Sequence, residues 1–222
     1  KEEILSFEKE VLGVYISGHP LEEYVETLEK NITRTTADFE VVDGETEPKV
    51  KDQERAVIGG MITGRTVKAT RTNNMMAFLT VEDLYGTVEV IVFPRDYEKY
   101  RTLLEEDTKV FIQGRVTVEE DKPAKLICSG VVPFDAVEKE LWIQFSTRAD
   151  YEEAEQTLFA ILGNYDGTEN VYIYLSKDRA RKLLPKSRCT KVCKELLSEL
   201  YTKFGEDNVK VTEKSIEKKF RA

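Results

Sequence analysis

The sequence is poor in the residues that build metal and nucleophilic centres. Among 222 residues there is one histidine, His19, and there are three cysteines, Cys128, Cys189 and Cys193. A structural zinc site takes four Cys or His ligands, so every one of these residues would have to converge on one point. Small buried hydrophobes are the better reading of the cysteines, with Cys189 and Cys193 one turn apart on an expected helix. An odd cysteine count in a chain rich in lysine and glutamate argues against a disulfide framework and for a reducing, cytoplasmic setting. No apolar run approaches the roughly 20 residues of a membrane span, and no signal-peptide pattern opens the chain. There is no glycine-rich phosphate loop, nucleotide fingerprint or catalytic triad pattern. The neighbouring acids Glu82 and Asp83, and Asp150 with Glu152 and Glu153, read as solvated turn and helix residues.

Basic excess is missing too. The chain has 42 acids against 33 bases, a net charge of −9, which excludes a bulk coat for nucleic acid. The acid is local, however. Residues 1–54 hold 15 acids and 6 bases, 55–135 hold 12 and 11, and 136–222 hold 15 and 16. The first segment carries the whole excess, and the remainder is free to form local basic patches. The chain begins with Lys1, Glu2 and Glu3 rather than Met, and reads as a piece of a longer protein.

The periodicity divides the chain. Residues 1–36 read as a helical segment. Leu5, Val11, Leu12 and Tyr15 form a stripe, the Gly18-His19-Pro20 stretch breaks it, and a second helix restarts over 21–30. His19 is best placed to tie this turn to a backbone carbonyl. The stretch 37–54, acidic and interrupted by Gly44 and Pro48, reads as a linker. Over 55–136 the period becomes two. Five strands are expected, in "RAVIGGMITGRTVKAT", "MAFLTVED", "GTVEVIVF", "TKVFIQGRVTVEE" and "AKLICSGVVPF", with a short helix over 95–104 between the third and fourth. That order is the order of an OB-fold, a small Greek-key barrel. Gly59, Gly60 and Gly64 suit its coiled, bulged first strand. Residues 137–222 alternate as βαββαβ, a small α+β domain for which a ferredoxin-like sheet is one candidate. The expected fold class is therefore α+β, mostly β.

Alternation sorts the barrel residues. Ala77, Leu79, Val81, Val88, Val90 and Val92 point into a core with Val110, Ile112, Val116 and Val118. Phe78, Thr80, Thr87, Glu89 and Ile91, and on the fourth strand Phe111, Gln113 and Arg115, fall outside. OB-folds hold single strands on this face, between the loops joining strands one to two and four to five. The first loop, read as 67–76, carries Lys68, Arg71, Asn73 and Asn74, with Arg65 just before it. The last loop carries Lys122 and Lys125. Basic groups track phosphates, Asn reaches base edges and aromatic rings stack on bases. Plainer uses exist: Phe78 can cap the barrel and Arg71 can be a solvated loop charge.

Three stretches carry a resemblance. "MAFLTVEDLYGTVEVIVFP", "EKEVLGVYISGHPLEEY" and the tail "GTENVYIYLSKDRARKLLP" with "VCKELLSELYTKFGEDNVKV" are similar to the alpha subunit of bacterial replicative DNA polymerase III, a C-family polymerase. The barrel alone also resembles the anticodon-binding barrel of aspartyl-type tRNA synthetases, in which the residue matching Phe78 stacks on a base. The stretch over 8–24 separates the two. The resemblance implies a non-catalytic C-terminal portion of that subunit, with an OB domain for single-stranded DNA template and a C-terminal domain that attaches the polymerase to the tau subunit of the clamp loader. It implies that nucleotidyl transfer and its Mg²⁺ ions lie in an upstream palm absent here, so no cofactor is expected in this piece. The family's sliding-clamp peptide ends in a Leu-Phe pair just before "LGVYISGHPL"; the present "KEEILSFEKE" does not show it. "EQTLF" at 155–159 has that ending, but its helical spacing points to core packing. An RNA-binding barrel attached to an enzyme, and a pure protein-interaction scaffold, stay open as rivals. The bases gathered between Lys177 and Lys194 fit a solvated face, a protein-docking surface or a second DNA contact.

Overall fold

The computed structural model describes residues 18–41, 47–120 and 122–221. The stripe of Leu5, Val11, Leu12 and Tyr15 lies outside the described residues. The chain divides into two compact units, one of Lys1–Ala136 with Ser215–Ala222 and one of Val137–Lys214.

The first unit is the expected five-stranded barrel. Strands β1 (Arg55–Ala69), β2 (Met75–Glu82), β3 (Thr87–Val92), β4 (Lys109–Thr117) and β5 (Lys125–Pro133) close in the order β1-β2-β3-β5-β4. β3 and β5 pair in parallel and the other neighbours are antiparallel. Inward residues at period two fill the interior: Ile58, Ile62, Ala77, Leu79, Val81, Val90, Val92, Val110, Ile112, Val116 and Leu126 are all essentially inaccessible. Val118 only packs against this core from its edge. Helix α1 is Val25–Asn31, ahead of the barrel, and α2 is Pro94–Tyr100, between β3 and β4. Tyr100 and Leu104, at and after the end of α2, join the barrel core. β1 bends enough to pair with both β2 and β4, and a bulge between Ile62 and Gly64 shifts its register. A Cβ on Gly60 would fall 2.4 Å from the Glu82 carbonyl oxygen, so only glycine admits that approach.

The stretch expected to be a linker packs against the barrel instead. Phe39 and Val50 are buried in the barrel core, and the Phe39 carbonyl accepts the Ala124 N–H at 2.8 Å. Thr35 and Asp38 form a capping box at the start of a 3-10 turn over Thr36–Phe39. Asp83 is buried rather than solvated. Its carboxylate accepts from the Thr36 N–H (2.8 Å) and hydroxyl (2.6 Å), and from the N–H groups of Tyr85 (2.7 Å) and Gly86 (3.1 Å). It thereby shapes the β2–β3 turn and holds the preceding segment to it. His19 ties the turn through its ring: Nδ1 accepts the Leu21 N–H at 3.1 Å, and Nε2 lies 3.3 Å from Glu82 Oε1.

The second unit contains β6 (Lys139–Phe145), α3 (Arg148–Leu162), β7 (Asp166–Leu175), β8 (Ala180–Leu183), α4 (Lys194–Phe204) and β9 (Val209–Glu213). The βαββαβ order is as expected, but the sheet is not ferredoxin-like. Its order is β8-β7-β6-β9, and β6 pairs directly and in parallel with β7 from Glu140↔Asn170 to Phe145↔Leu175. No strand is inserted between them, as a split βαβ would need. Helix α3 opens with a Thr147–Asp150 capping box, which gives Asp150 a local task. Leu158 of "EQTLF" is fully buried in this unit's core. Helix α4 begins at Lys194, later than its sequence pattern implies, because Thr190 is drawn into bridges with Asp166 and Glu169 and donates to the Tyr165 carbonyl at 2.8 Å. Cys189 and Cys193 therefore precede the helix instead of sharing one of its faces.

The expected boundary at 222 also moves. Residues after Lys214 group with the barrel: Ile216 is buried, its N–H donates to Asn31 Oδ1 at 3.3 Å, and the Phe220 ring packs on Gly130.

Candidate nucleic-acid interface

The ladders of the barrel place its outward residues in rows. One row crosses from β1 to β4 through Thr66, Phe78, Ile91, Ile127 and Arg115. Phe78, Ile91 and Ile127 are half-buried side by side, an apolar stripe on the outer wall. The Lys68 ammonium lies 5.1 Å from the centre of the Phe78 ring, so a cation borders the stripe at one end. Arg115 borders it at the other, its guanidinium donating to Gln53 Oε1 at 3.2 Å. The next row is polar. Gly64 faces Thr80, Thr80 faces Glu89, and Glu89 holds Lys125 at 2.7 Å. That hydrogen bond from Lys125 to the Glu89 carboxylate raises the lysine above its ordinary pKa. Below these residues an open groove of about 350 Å³ is lined by Thr80, Thr87, Glu89, Lys122, Pro123 and Lys125. The groove joins the wall to the β4–β5 loop.

The sequence-derived residues separate into three sets. Lys68, Phe78, Thr80, Arg115, Lys122 and Lys125 meet on this wall or its rim. Lys122 is held by Glu119 at 2.7 Å, so its charge is partly neutralised. Arg71, Asn73 and Asn74 lie in an exposed loop of five residues, Thr70–Asn74, shorter than the 67–76 expected because Lys68 and Ala69 pair with Met76 and Met75. Asn73 adopts φ 62°, the left-handed conformation that asparagine tolerates. Asn74 donates to the Thr72 hydroxyl at 3.1 Å. Both asparagines are therefore engaged in turn formation, and Arg71 is the loop residue that faces solvent unengaged by the turn.

Two residues are not open on the expected face. Arg65 stands opposite Leu79, on the inward side, because the Ile62/Gly64 bulge reverses the alternation. Its guanidinium reaches Glu105 at 2.8 Å and the Tyr97 hydroxyl at 3.2 Å. Phe111 does point outward, yet it is 0% exposed. It stacks on Phe134 with ring centres 4.4 Å apart, and Phe134 meets Tyr24 at 5.2 Å. A Cβ on Gly59 would lie 2.5 Å from Leu28 and 2.9 Å from Phe111, so the glycine lets α1 close over that part of the wall.

The structure also adds residues. Ile127 completes the apolar stripe and Thr66 extends its row onto β1; β5 lies between β3 and β4 in space, which the linear order of strands conceals. Phe93 follows Ile91 at outward alternation and is 45% exposed, extending the aromatic surface. Its place directly before Pro94 marks a strand end, and that signal was readable. No group of three or more His, Cys, Asp or Glu able to hold a metal occurs among the described residues. Burial pushes the Cys128 thiol up to about 12, which leaves it a core side chain and not a nucleophile. No helix among the described residues is long and apolar enough to cross a membrane.

Residues 56–134 match the sequence family described as an OB-fold nucleic acid binding domain. The chain is similar to DNA polymerase III subunit alpha of several bacteria. It is 36% identical over 135 residues to that of Saccharopolyspora erythraea (61% of this chain, 11% of the relative). It is 44% identical over 110 residues to that of Aquifex aeolicus (50% and 9%). It is 28% identical over 211 residues to that of Bacillus subtilis (93% and 18%). The chain thus spans less than a fifth of each of these relatives. The resemblance read from the sequence holds at the level of a segment: residues 56–134 form an OB-fold domain, and the chain is similar to part of the polymerase alpha subunit.

Proposed function

We propose that the barrel binds single-stranded DNA template along the outer wall of β2, β3 and β5. The observation that carries this reading is the apolar row Phe78–Ile91–Ile127 set between Lys68 and Arg115. Bases stack on the ring and the aliphatic stripe, and the two cations border the path of the backbone. Nothing on this wall reads base edges in a groove, so sequence preference is small. Glu89 and Glu119 neutralise two of the nearby lysines, which keeps affinity low and salt-sensitive. Titrating a labelled single strand, its blunt duplex and a tRNA into the chain separates the readings. The single strand binds tightest, and its affinity falls as salt rises. Equal or tighter binding of duplex contradicts the proposal, and preference for tRNA supports an RNA-binding barrel.

In this reading the second unit attaches the polymerase to the tau subunit of the clamp loader, and the two together support processive replication in the cytoplasm. What supports attachment is a unit with its own core and a cluster of bases from Lys177 to Lys194 on a nearly neutral background, a pattern suited to steering towards an acidic partner surface. Lys186→Glu with Lys191→Glu, both at exposed positions, should lower co-purification of tau; undiminished capture contradicts the basic cluster as the docking surface. Sliding-clamp binding belongs to a motif outside this segment. Nucleotidyl transfer, with its Mg²⁺, likewise belongs to other parts of the parent subunit. Incorporation on a primed template that tracks with this segment overturns that assignment.

A further inference from the structure

The sheet of the second unit has one face that its helices do not use. Side chains alternate across each strand, and the residues packed with α3 and α4 are Leu141, Ile143, Val171, Ile173 and Val209. The opposite alternation places other residues together. Lys210, Trp142, Tyr172 and Leu183 are consecutive partners across β9, β6, β7 and β8. Gln144, Tyr174 and Arg181 form the adjoining row. The Trp142 and Tyr172 rings are stacked, with centres 4.3 Å apart and planes 8° from parallel. The indole N–H donates to the Thr212 hydroxyl at 3.1 Å, which fixes the ring before anything binds. Leu183 is 51% exposed, and Lys210, Gln144 and Arg181 are exposed. Glu140 adjoins these rows, and Lys214 lies 3.5 Å from it.

We infer that this face is a second binding site for single-stranded nucleic acid, separate from the barrel wall. Three aromatic side chains on adjacent strands, with a cation at each border, make the combination that single strands need: flat apolar surface for bases and sparse positive charge for phosphates. A four-stranded sheet with aromatics on its open face is a recurrent way to hold unpaired bases. The preformed Trp142–Tyr172 stack and the Thr212 hydrogen bond reduce the ordering that binding requires. A peptide surface would draw on Leu183 and the tyrosines alone; the flanking Lys210 and Arg181 favour the polyanion.

Trp142 is the only tryptophan of the chain, so its fluorescence reports this face and not the barrel. Titration of the full chain with unlabelled oligo-deoxythymidine should quench it. Tyr174→Ala should weaken the quench-derived affinity about ten-fold, and Arg181→Glu with Lys210→Glu should abolish quenching while circular dichroism stays unchanged. Phe78→Ala, which acts on the barrel wall, should leave the quench in place, so failure of the barrel reading and failure of this one are distinguishable. Absence of quenching in the native chain, quenching that disappears with Phe78→Ala, or quenching indifferent to the double charge reversal overturns the inference. Quenching by the tau subunit without quenching by oligonucleotide assigns the face to protein docking and overturns it equally.

Discussion

Phe78 and Phe111 are both phenylalanines pointing outward from one small barrel, yet they have opposite fates. Phe78 is half-exposed beneath Lys68. Phe111 is sealed by Phe134, on which Tyr24 packs, and by Leu28 nearby. The difference lies outside the barrel. Phe134, just after β5, and Leu28 of α1, ahead of β1, lie over the start of β4, while Phe78, Ile91 and Ile127 on β2, β3 and β5 stay half-exposed. Which part of this barrel wall stays open is decided by where the chain lays its own cover, and a ring under that cover contributes to stability.

The largest effect should follow from breaking the covered side. Phe111→Ala should lower the unfolding free energy by about 4 kcal/mol, through lost burial and the cavity left behind. Chemical denaturation checks this, and a loss below about 1 kcal/mol would show that the ring is not sealed. Next comes the tie that holds the cover to the β2–β3 turn. Asp83→Ala strands the buried Thr36 N–H and hydroxyl, at a cost of about 3 kcal/mol in total. A melting curve reads it, and hydrogen exchange should rise first over residues 35–39 and 83–86. On the bare side the effects move from stability to binding. Lys68→Ala should reduce the salt dependence of single-strand affinity by about 0.7 in the logarithmic slope, with little change in melting; an unchanged slope removes Lys68 from the phosphate path.

The smallest effect concerns pH. Glu54 is held below its ordinary pKa by the Lys51 N–H first and then by Arg34, whose guanidinium sits at 2.8 Å. A depressed carboxylate contributes stability above its unfolded pKa, and this is lost as pH falls through the folded value. Glu54→Gln should therefore cost about 0.5–1 kcal/mol at neutral pH. The cost should shrink towards zero in acid, as comparison of melts at neutral and acidic pH will show.

Much of this comparison was legible in the residues. Alternation over 77–92 and 110–116 assigned the core and put Phe78 and Thr80 outside, because direction in a strand follows from parity alone. Cover does not follow from parity, so Phe111 read as a binding residue and 37–54 read as a linker, although Phe39 and Val50 are core. Bulges defeat parity outright. One extra residue between Ile62 and Gly64 turned Arg65 inward. The β3–β5 pairing that sets Ile127 beside Ile91 joins residues distant in sequence, as does the β6–β7 pairing that rules out a ferredoxin-like sheet. The asparagines of the tip were visible, but their use in a left-handed turn outweighs their polarity.

The central claim is that the uncovered wall holds a single strand by stacking on Phe78. Fluorescence anisotropy of a labelled single strand, titrated at low salt with the native chain and with Phe78→Ala, tests it most directly when each protein is also melted. The account predicts binding weakened by roughly 1–3 kcal/mol and an almost unchanged melting temperature. Unaltered affinity, or a melting temperature that collapses as it should for Phe111→Ala, would contradict it.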